Sequence, residues 1–263
     1  MADFSRNRIT QATVLCPGER VGEGDTELTL DLLPPDLAAT AFEKLRDEVQ
    51  WKTMRHRVAL IKKHVEKAVN HPVNHVLIQW YRSGADYISE HSDKTIDIVR
   101  GTKIVNVSLG AQRVMTLRRK KDSDAQVRET GAPGASREQQ RVPLPHNSIF
   151  VLGLETNAKW LHAIRTDKRP ASTKSAEELA ENGERISLTF RHIGTFLTAD
   201  KSHIFGQGAK GKSKEDARPI VRGGDEAEQL IIAFGDENHH SGFDWDASYG
   251  PGFDVVHFST HDS

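Results

Sequence analysis

From Leu30 onward the chain switches between two hydrophobic rhythms. In LLPPDLAATAFEKLRDEVQW the apolar Leu37, Phe42, Leu45 and Val49 recur at helical spacings, predicting a helix that begins after Pro35, with Asp36 as its N-cap and one face buried. A second helix is predicted over about residues 58–69, where Ile61, Val65 and Val69 stand four apart and Lys62, Lys63 and Lys67 fall opposite; His71-Pro72 ends it. Beyond that point NHVLIQWYRSG, KIVNVSLGAQ, RVMTLRR, SIFVLGL, KWLHAIR and RISLTFRHIG are short, rich in β-branched and large apolar residues, and bounded by Gly, Pro, Asn and Asp. Many short strands after two helices predict a mainly β (α+β) sandwich or barrel.

The stretches between these runs set the expected organisation. Residues 1–29 are polar with few anchors and read as a loosely ordered arm, residues 30–199 as the main domain, and residues 200–263 as an extension docked on it. KKDSDAQVRETGAPGASREQQ cannot supply a core and reads as a long surface hairpin loop, while AEELAE suits a short exposed helix. In the extension, GQGAKGKSKEDARPIVRGGDE is soft, EQLIIAFGDEN reads as a helix, and Phe243, Trp245, Tyr249 and Phe253 read as its anchors.

Composition narrows the function classes. No apolar run approaches the roughly 20 residues of a spanning helix, so no membrane partner is expected. Thirty-six basic and 37 acidic side chains leave a net charge of -1, which excludes an overall basic field for nucleic acid. Cys16 is the single cysteine, which excludes an internal disulfide and a thiolate metal cage and fits the cytoplasm or nucleus. Oligomeric state is left open.

One constellation carries chemistry. In YISEHSDKTIDI, His91 and Asp93 stand two apart, so strand alternation points both to one face, and His162 in KWLHAI lies on another predicted strand that a folded sheet can bring beside them. Two imidazoles and one carboxylate on one face of an ion leave positions open, which suits non-haem Fe(II) and oxygen chemistry; zinc would fit less distinctively. With 13 histidines in the chain, a His-x-Asp pair also arises as an ordinary surface or core feature. The run RISLTFR adds weight, because alternation sets Arg185, Ser187, Thr189 and Arg191 on one face and Ile186, Leu188 and Phe190 on the other. Arginines turned into a barrel call for an anion, and a guanidinium fork matches a dicarboxylate, whereas an exposed, half-buried strand would explain them without one.

QWYRSGADYISEHSDKTIDI, IVNVSLGAQRVMTLRRKK, LPHNSIFVLGLETNAKWLHAI and RISLTFRHIGTF, in this order, resemble the successive blocks of the AlkB-like Fe(II)/2-oxoglutarate-dependent dioxygenases over about residues 30–199. The resemblance implies a double-stranded β-helix, or jelly roll, with His91, Asp93 and His162 binding Fe(II). It implies that Arg185, helped by Tyr81, holds the distal carboxylate of 2-oxoglutarate, and that Arg191 lies near the metal-side carboxylate and Asp93. Gln79 and Ser187 fall where the family usually carries asparagines. The implied reaction consumes O2 and 2-oxoglutarate, releases succinate and CO2, and oxidises a substrate C–H.

The substrate is where the chain departs from the family. Nucleic-acid members typically place an acidic residue directly after the iron-binding aspartate; here Lys94 and Thr95 follow. The sequence therefore leans to a small molecule or modified amino acid, with oxidative N-dealkylation of DNA or RNA bases as the alternative and a catalytically silent jelly-roll binding module as the third reading. Two basic runs, Arg118 to Lys121 and Lys201, Lys210, Lys212 and Lys214, could serve nucleic acid but read better as solvated loops. His146 reads as a turn residue, and His239-His240 as exposed residues rather than ligands.

Overall fold

A computed structural model describes residues 12–48, 56–121 and 137–256. Two short strands, β1 (Thr13–Val14) and β2 (Glu27–Thr29), precede helices α1 (Pro35–Glu48) and α2 (His56–Val69). The strands β3 (His75–Tyr81), β4 (Ile88–His91), β5 (Ile104–Gly110), β6 (Arg113–Arg119), β7 (Gln139–Leu144) and β8 (Ser148–Leu152) follow. After them come α3 (Leu154–Lys159), β9 (Trp160–Ile164), α4 (Ala176–Leu179) and β10 (Arg185–Arg191). The extension holds β11 (Thr195–Leu197), β12 (His203–Gly206), β13 (Arg218–Pro219), α5 (Gly224–His239) and α6 (Trp245–Tyr249).

The strands form two five-stranded sheets, β2-β8-β5-β10-β3 and β1-β7-β6-β9-β4, which face each other as the two layers of a jelly roll without closing into a barrel. Period-two alternation divides the first sheet cleanly. Val105, Val107, Leu109, Ile186, Leu188 and Phe190 point outward and are sealed by Phe42 and Leu45 of α1 and Ile61 and Val65 of α2. Ile104, Phe150 and Leu152 point inward against Met115, Leu117, Val142, Leu144, Trp160 and Ile164 of the second sheet. Both predicted helices thus cover the back of the first sheet and leave its inner face for a site.

The structure departs from the sequence reading in several places. Within the arm, residues 12–29 are built into the fold: β1 pairs with β7, β2 pairs with β8, and Leu15, Val21 and Leu28 are buried. Asp36 is the second residue of α1 rather than its cap. Most of the expected hairpin loop, residues 122–136, lies outside the described residues. The basic run 118–121 is no solvated loop: Arg118 and Arg119 end β6, and Lys120 is buried. The soft stretch of the extension supplies strand β13 and the tie between Lys210 and Glu226. Its aromatic residues pack as expected from their density, with Tyr249 at the centre of Phe234, Phe243 and Trp245. Among the described residues no helix is long and apolar enough to cross a membrane.

Candidate active site

The inner faces of the two sheets enclose a cavity lined by all eight residues singled out from the sequence: Gln79, Tyr81, His91, Asp93, His162, Arg185, Ser187 and Arg191. Strand register explains the convergence. His91 of β4 and His162 of β9 are partners across an antiparallel pair, so their side chains leave the same face side by side, with ring centroids 4.3 Å apart. Asp93 lies two residues past the end of β4. Its backbone belongs to no ladder; instead Asn157 of α3 accepts from the Asp93 amide at 2.9 Å and donates to its carbonyl at 2.9 Å. Asp25 fixes α3 in turn, its carboxylate accepting from the Glu155 amide at 2.9 Å and from the Thr156 hydroxyl at 2.5 Å.

Neighbouring backbone and side chains orient His91 and Asp93. The His91 Nδ1–H donates to the Ser89 carbonyl at 2.8 Å, which fixes the tautomer and turns the Nε2 lone pair to the site. Nε2 of His91 and Nε2 of His162 each lie 3.6 Å from Oδ1 of Asp93. Nε and Nη2 of Arg191 donate to the other carboxylate oxygen, Oδ2, at 2.8 and 2.5 Å, leaving Oδ1 as the oxygen turned to both imidazoles. Ligand atoms of these three residues all lie within 4.8 Å of one another. Two neutral nitrogens and one carboxylate oxygen gathered on one face are the donor chemistry that a divalent transition metal takes.

The protonation states agree. Burial is the largest influence on His162 and lowers it to about 4, so its imidazole is neutral near pH 7. Burial alone would raise Asp93, but the neighbouring His91 and the charge of Arg191 hold it well below the usual carboxylate range. For His91, burial pushes down, but the Asp93 carboxylate and the Ser89 carbonyl together pull it above its ordinary value, so it is the more easily protonated imidazole.

Behind the donors stands an anion site. On β10, Arg185 pairs in register with Tyr81 and Ser187 with Gln79, which turns all four toward the cavity. Arg185 is fully buried; its Nε donates to Ser108 at 2.8 Å, its Nη2 to Asn106 at 3.0 Å, and its guanidinium lies 5.1 Å from the centre of the Tyr81 ring. Its Nη1 has no hydrogen-bond partner although buried. Burial lowers this group to about 10, still a cation near pH 7. A buried cation with one unanswered donor in a cavity is a place for a carboxylate oxygen. The residues present therefore fit both a metal ion and a carboxylate cosubstrate.

Toward the outside, His91, Asp93 and Arg191 also border a groove of about 800 Å³ whose other walls include Leu77, Ile193 and, from the extension, Phe234, Asn238 and His239. Lys94, next to Asp93, also borders the groove, and its Nζ donates to the Phe234 carbonyl at 2.6 Å. Asn106, Ser108, Asn157 and Asn238 escaped the sequence reading. Each is a polar residue whose partner lies far away in sequence, and no local period marks such a pair. Ser187 accepts from the Asn106 amide at 2.6 Å, so an asparagine stands beside it on the neighbouring strand.

A family model described as "2OG-Fe(II) oxygenase superfamily" matches residues 43–191. Human "DNA oxidative demethylase ALKBH2" is 32% identical over 133 residues, which cover 51% of this chain and 44% of that protein. The Bos taurus protein of the same name is 29% identical over 196 residues, covering 71% of this chain and 59% of that protein. Bos taurus "Alpha-ketoglutarate-dependent dioxygenase alkB homolog 3" is 28% identical over 134 residues, 51% of this chain and 41% of that protein. The matches span about half the length of these relatives.

Proposed function

Since the chain belongs to the 2OG-Fe(II) oxygenase superfamily, as an AlkB-like member, we propose that it is an Fe(II)/2-oxoglutarate-dependent dioxygenase that oxidises an N-alkyl group on a nucleobase. The observation that carries the reaction class is the cavity in which His91, Asp93 and His162 converge next to the unanswered Nη1 of buried Arg185.

When bound, Fe(II) would activate O2, the oxidant: 2-oxoglutarate would give two electrons, taking one oxygen atom as it leaves as succinate and CO2, and the other oxygen atom would enter a substrate C–H bond. His91, Asp93 and His162 would hold the metal. Arg185, whose buried Nη1 has no protein partner, would hold a carboxylate of the cosubstrate, while Ser108 and Asn106 keep its fork from turning away. Arg191 occupies Oδ2 of Asp93 and so keeps a single carboxylate oxygen facing the imidazoles. Ile88, Ile104, Met115, Phe150, Leu152 and Ile164 supply the apolar part of the lining, and the fixed geometry of the polar groups positions the reactants. Where the oxidised carbon is bonded to nitrogen, the hydroxylated product falls apart to the amine and an aldehyde, which amounts to dealkylation.

The base reading is supported by what the relatives' names say of them. A second reading, a free small molecule or modified amino acid, is favoured by the groove itself. Lys94 and Arg191 are the lysine and arginine among its lining residues, and Arg191 is already paired with Asp93, which leaves little charge for a phosphate backbone. Succinate formation in the presence of Fe(II) and 2-oxoglutarate separates the readings. Stimulation by an N-methylated DNA oligonucleotide supports the first, and stimulation by free N-methylated nucleosides or amino acids alone supports the second. No succinate from any of them, with protein whose Asp93→Ala variant behaves identically, would leave only a silent binding module.

A further inference from the structure

The segment that follows β4 carries Asp93 but belongs to no strand, so its amides must find partners elsewhere if they are buried. Two of them find adjacent side chains of α5. The Ser92 amide donates to Oδ1 of Asn238 at 2.9 Å, and the Thr95 amide to Oε1 of Glu237 at 3.0 Å, with the Thr95 hydroxyl on the same oxygen. Asp93 lies between these two anchors. Glu237 is itself buried and held: Tyr249 donates to its Oε2 at 2.7 Å, and Lys120, from the end of β6, donates to its backbone carbonyl at 2.5 Å. The next residues are gripped by the extension as well, since Nε2 of Gln207 donates to the carbonyls of Ile96 and Ile98 at 2.9 and 2.7 Å. All of α5 lies beyond residue 191, where the match to the family model ends.

We infer that α5 is a positioning element of the metal site, in which Asn238 and Glu237 hold the backbone on either side of Asp93 and thereby fix the direction of its carboxylate. The inference rests on reading His91, Asp93 and His162 as metal ligands. Neither residue touches the ion. Their effect passes through two amides, and a backbone held at both ends lets Arg191 and the imidazoles meet one carboxylate rotamer rather than several. Loss of an outer partner of a metal ligand typically weakens metal binding about 10–100-fold, and Asn238→Ala and Glu237→Ala should fall in that range.

The test is Co(II) titration of the full chain, followed by calorimetry and by the visible absorption of the bound ion, with urea unfolding of the metal-free protein run alongside. Asn238→Ala and Glu237→Ala should bind Co(II) more weakly and with an altered spectrum; Glu237→Gln, which keeps an acceptor for the Thr95 amide, should recover most of the affinity. Ile231→Ala, on the exposed side of the same helix, should match the parent in every readout. A lower urea midpoint with parental Co(II) affinity and spectrum would make α5 merely structural and overturn the inference. Asn238 is only half-buried, so its variant keeps the test valid should Glu237→Ala fail to fold. A parent protein that does not bind Co(II) would overturn the metal reading itself, a distinguishable result.

Discussion

His91 and His162 face the same oxygen at the same distance, yet their surroundings prepare them differently. His162 is neutral because it is buried; His91 is drawn toward protonation by Asp93. The proton that competes with the metal is therefore taken up first at His91. Co(II) affinity should fall as pH drops from about 7.5 to about 5.5, which a titration series would show; pH-independent affinity across that range would contradict the donor assignment. Arg185 carries a separate prediction. Arg185→Ala removes a charge-assisted donor from a buried position and should raise the 2-oxoglutarate dissociation constant about 10–100-fold, with Arg185→Lys recovering part of it. Unchanged 2-oxoglutarate binding would place the cosubstrate elsewhere. At this scale the chain is half legible. Arg-x-Ser-x-Thr-x-Arg declares itself because alternation along β10 puts it on one face, whereas His-x-Asp shows as a motif but not by strand alternation, since Asp93 lies past the end of β4. Asn157 and Glu237 do neither, because their partners lie at Asp93 and Thr95, across folds that no local pattern encodes.

Strand β10 shows how an element can serve two masters. One face carries Arg185, Ser187, Thr189 and Arg191 to the cavity; the other buries Ile186, Leu188 and Phe190 under α1 and α2. Leu188 is fully buried, and Leu188→Ala should cost about 2–5 kcal/mol of unfolding free energy by urea titration, through lost burial and the cavity left behind. Co(II) affinity of the folded fraction should stay unchanged, since the substitution lies on the far face. A cost well under that range would mean the helices do not seal this sheet. Long strands with strict alternation and helices with a repeating apolar stripe were readable in advance. Strands β1, β2 and β13 were not: each has two or three residues, too few for a period, and each is defined by the partner it joins.

For the molecule as a whole, acid sensitivity follows from what is buried neutral or paired. An unfolded histidine titrates near 6.5, while folded His162 does so at about 4. Between those values the unfolded chain binds a proton that the native state refuses, so the contribution of His162 to stability is present above about 6.5 and is lost as pH falls toward 4. Asp93, depressed in the fold, adds a further loss below its unfolded value of 3.8. The urea midpoint of the metal-free protein should thus decline from pH 7 to pH 4.5, and His162→Gln should flatten that decline; an equal slope in both would locate acid sensitivity elsewhere. Long-range organisation was the least legible level. A net charge of -1 hides ion pairs that fasten the extension, such as Arg100 with Asp246 and Arg218 with Asp254, and composition cannot say who pairs with whom.

The amide of Asp93 waits for Asn157, and that of Ser92 for Asn238. During synthesis, therefore, His91 at the end of β4 and Asp93 just past it leave the ribosome long before the residues that steady them. Such distant closures come late in folding. A nascent chain that ends before α5 carries His91, Asp93, His162 and the Asn157 brace, but not the Asn238 and Glu237 contacts that hold the segment around Asp93.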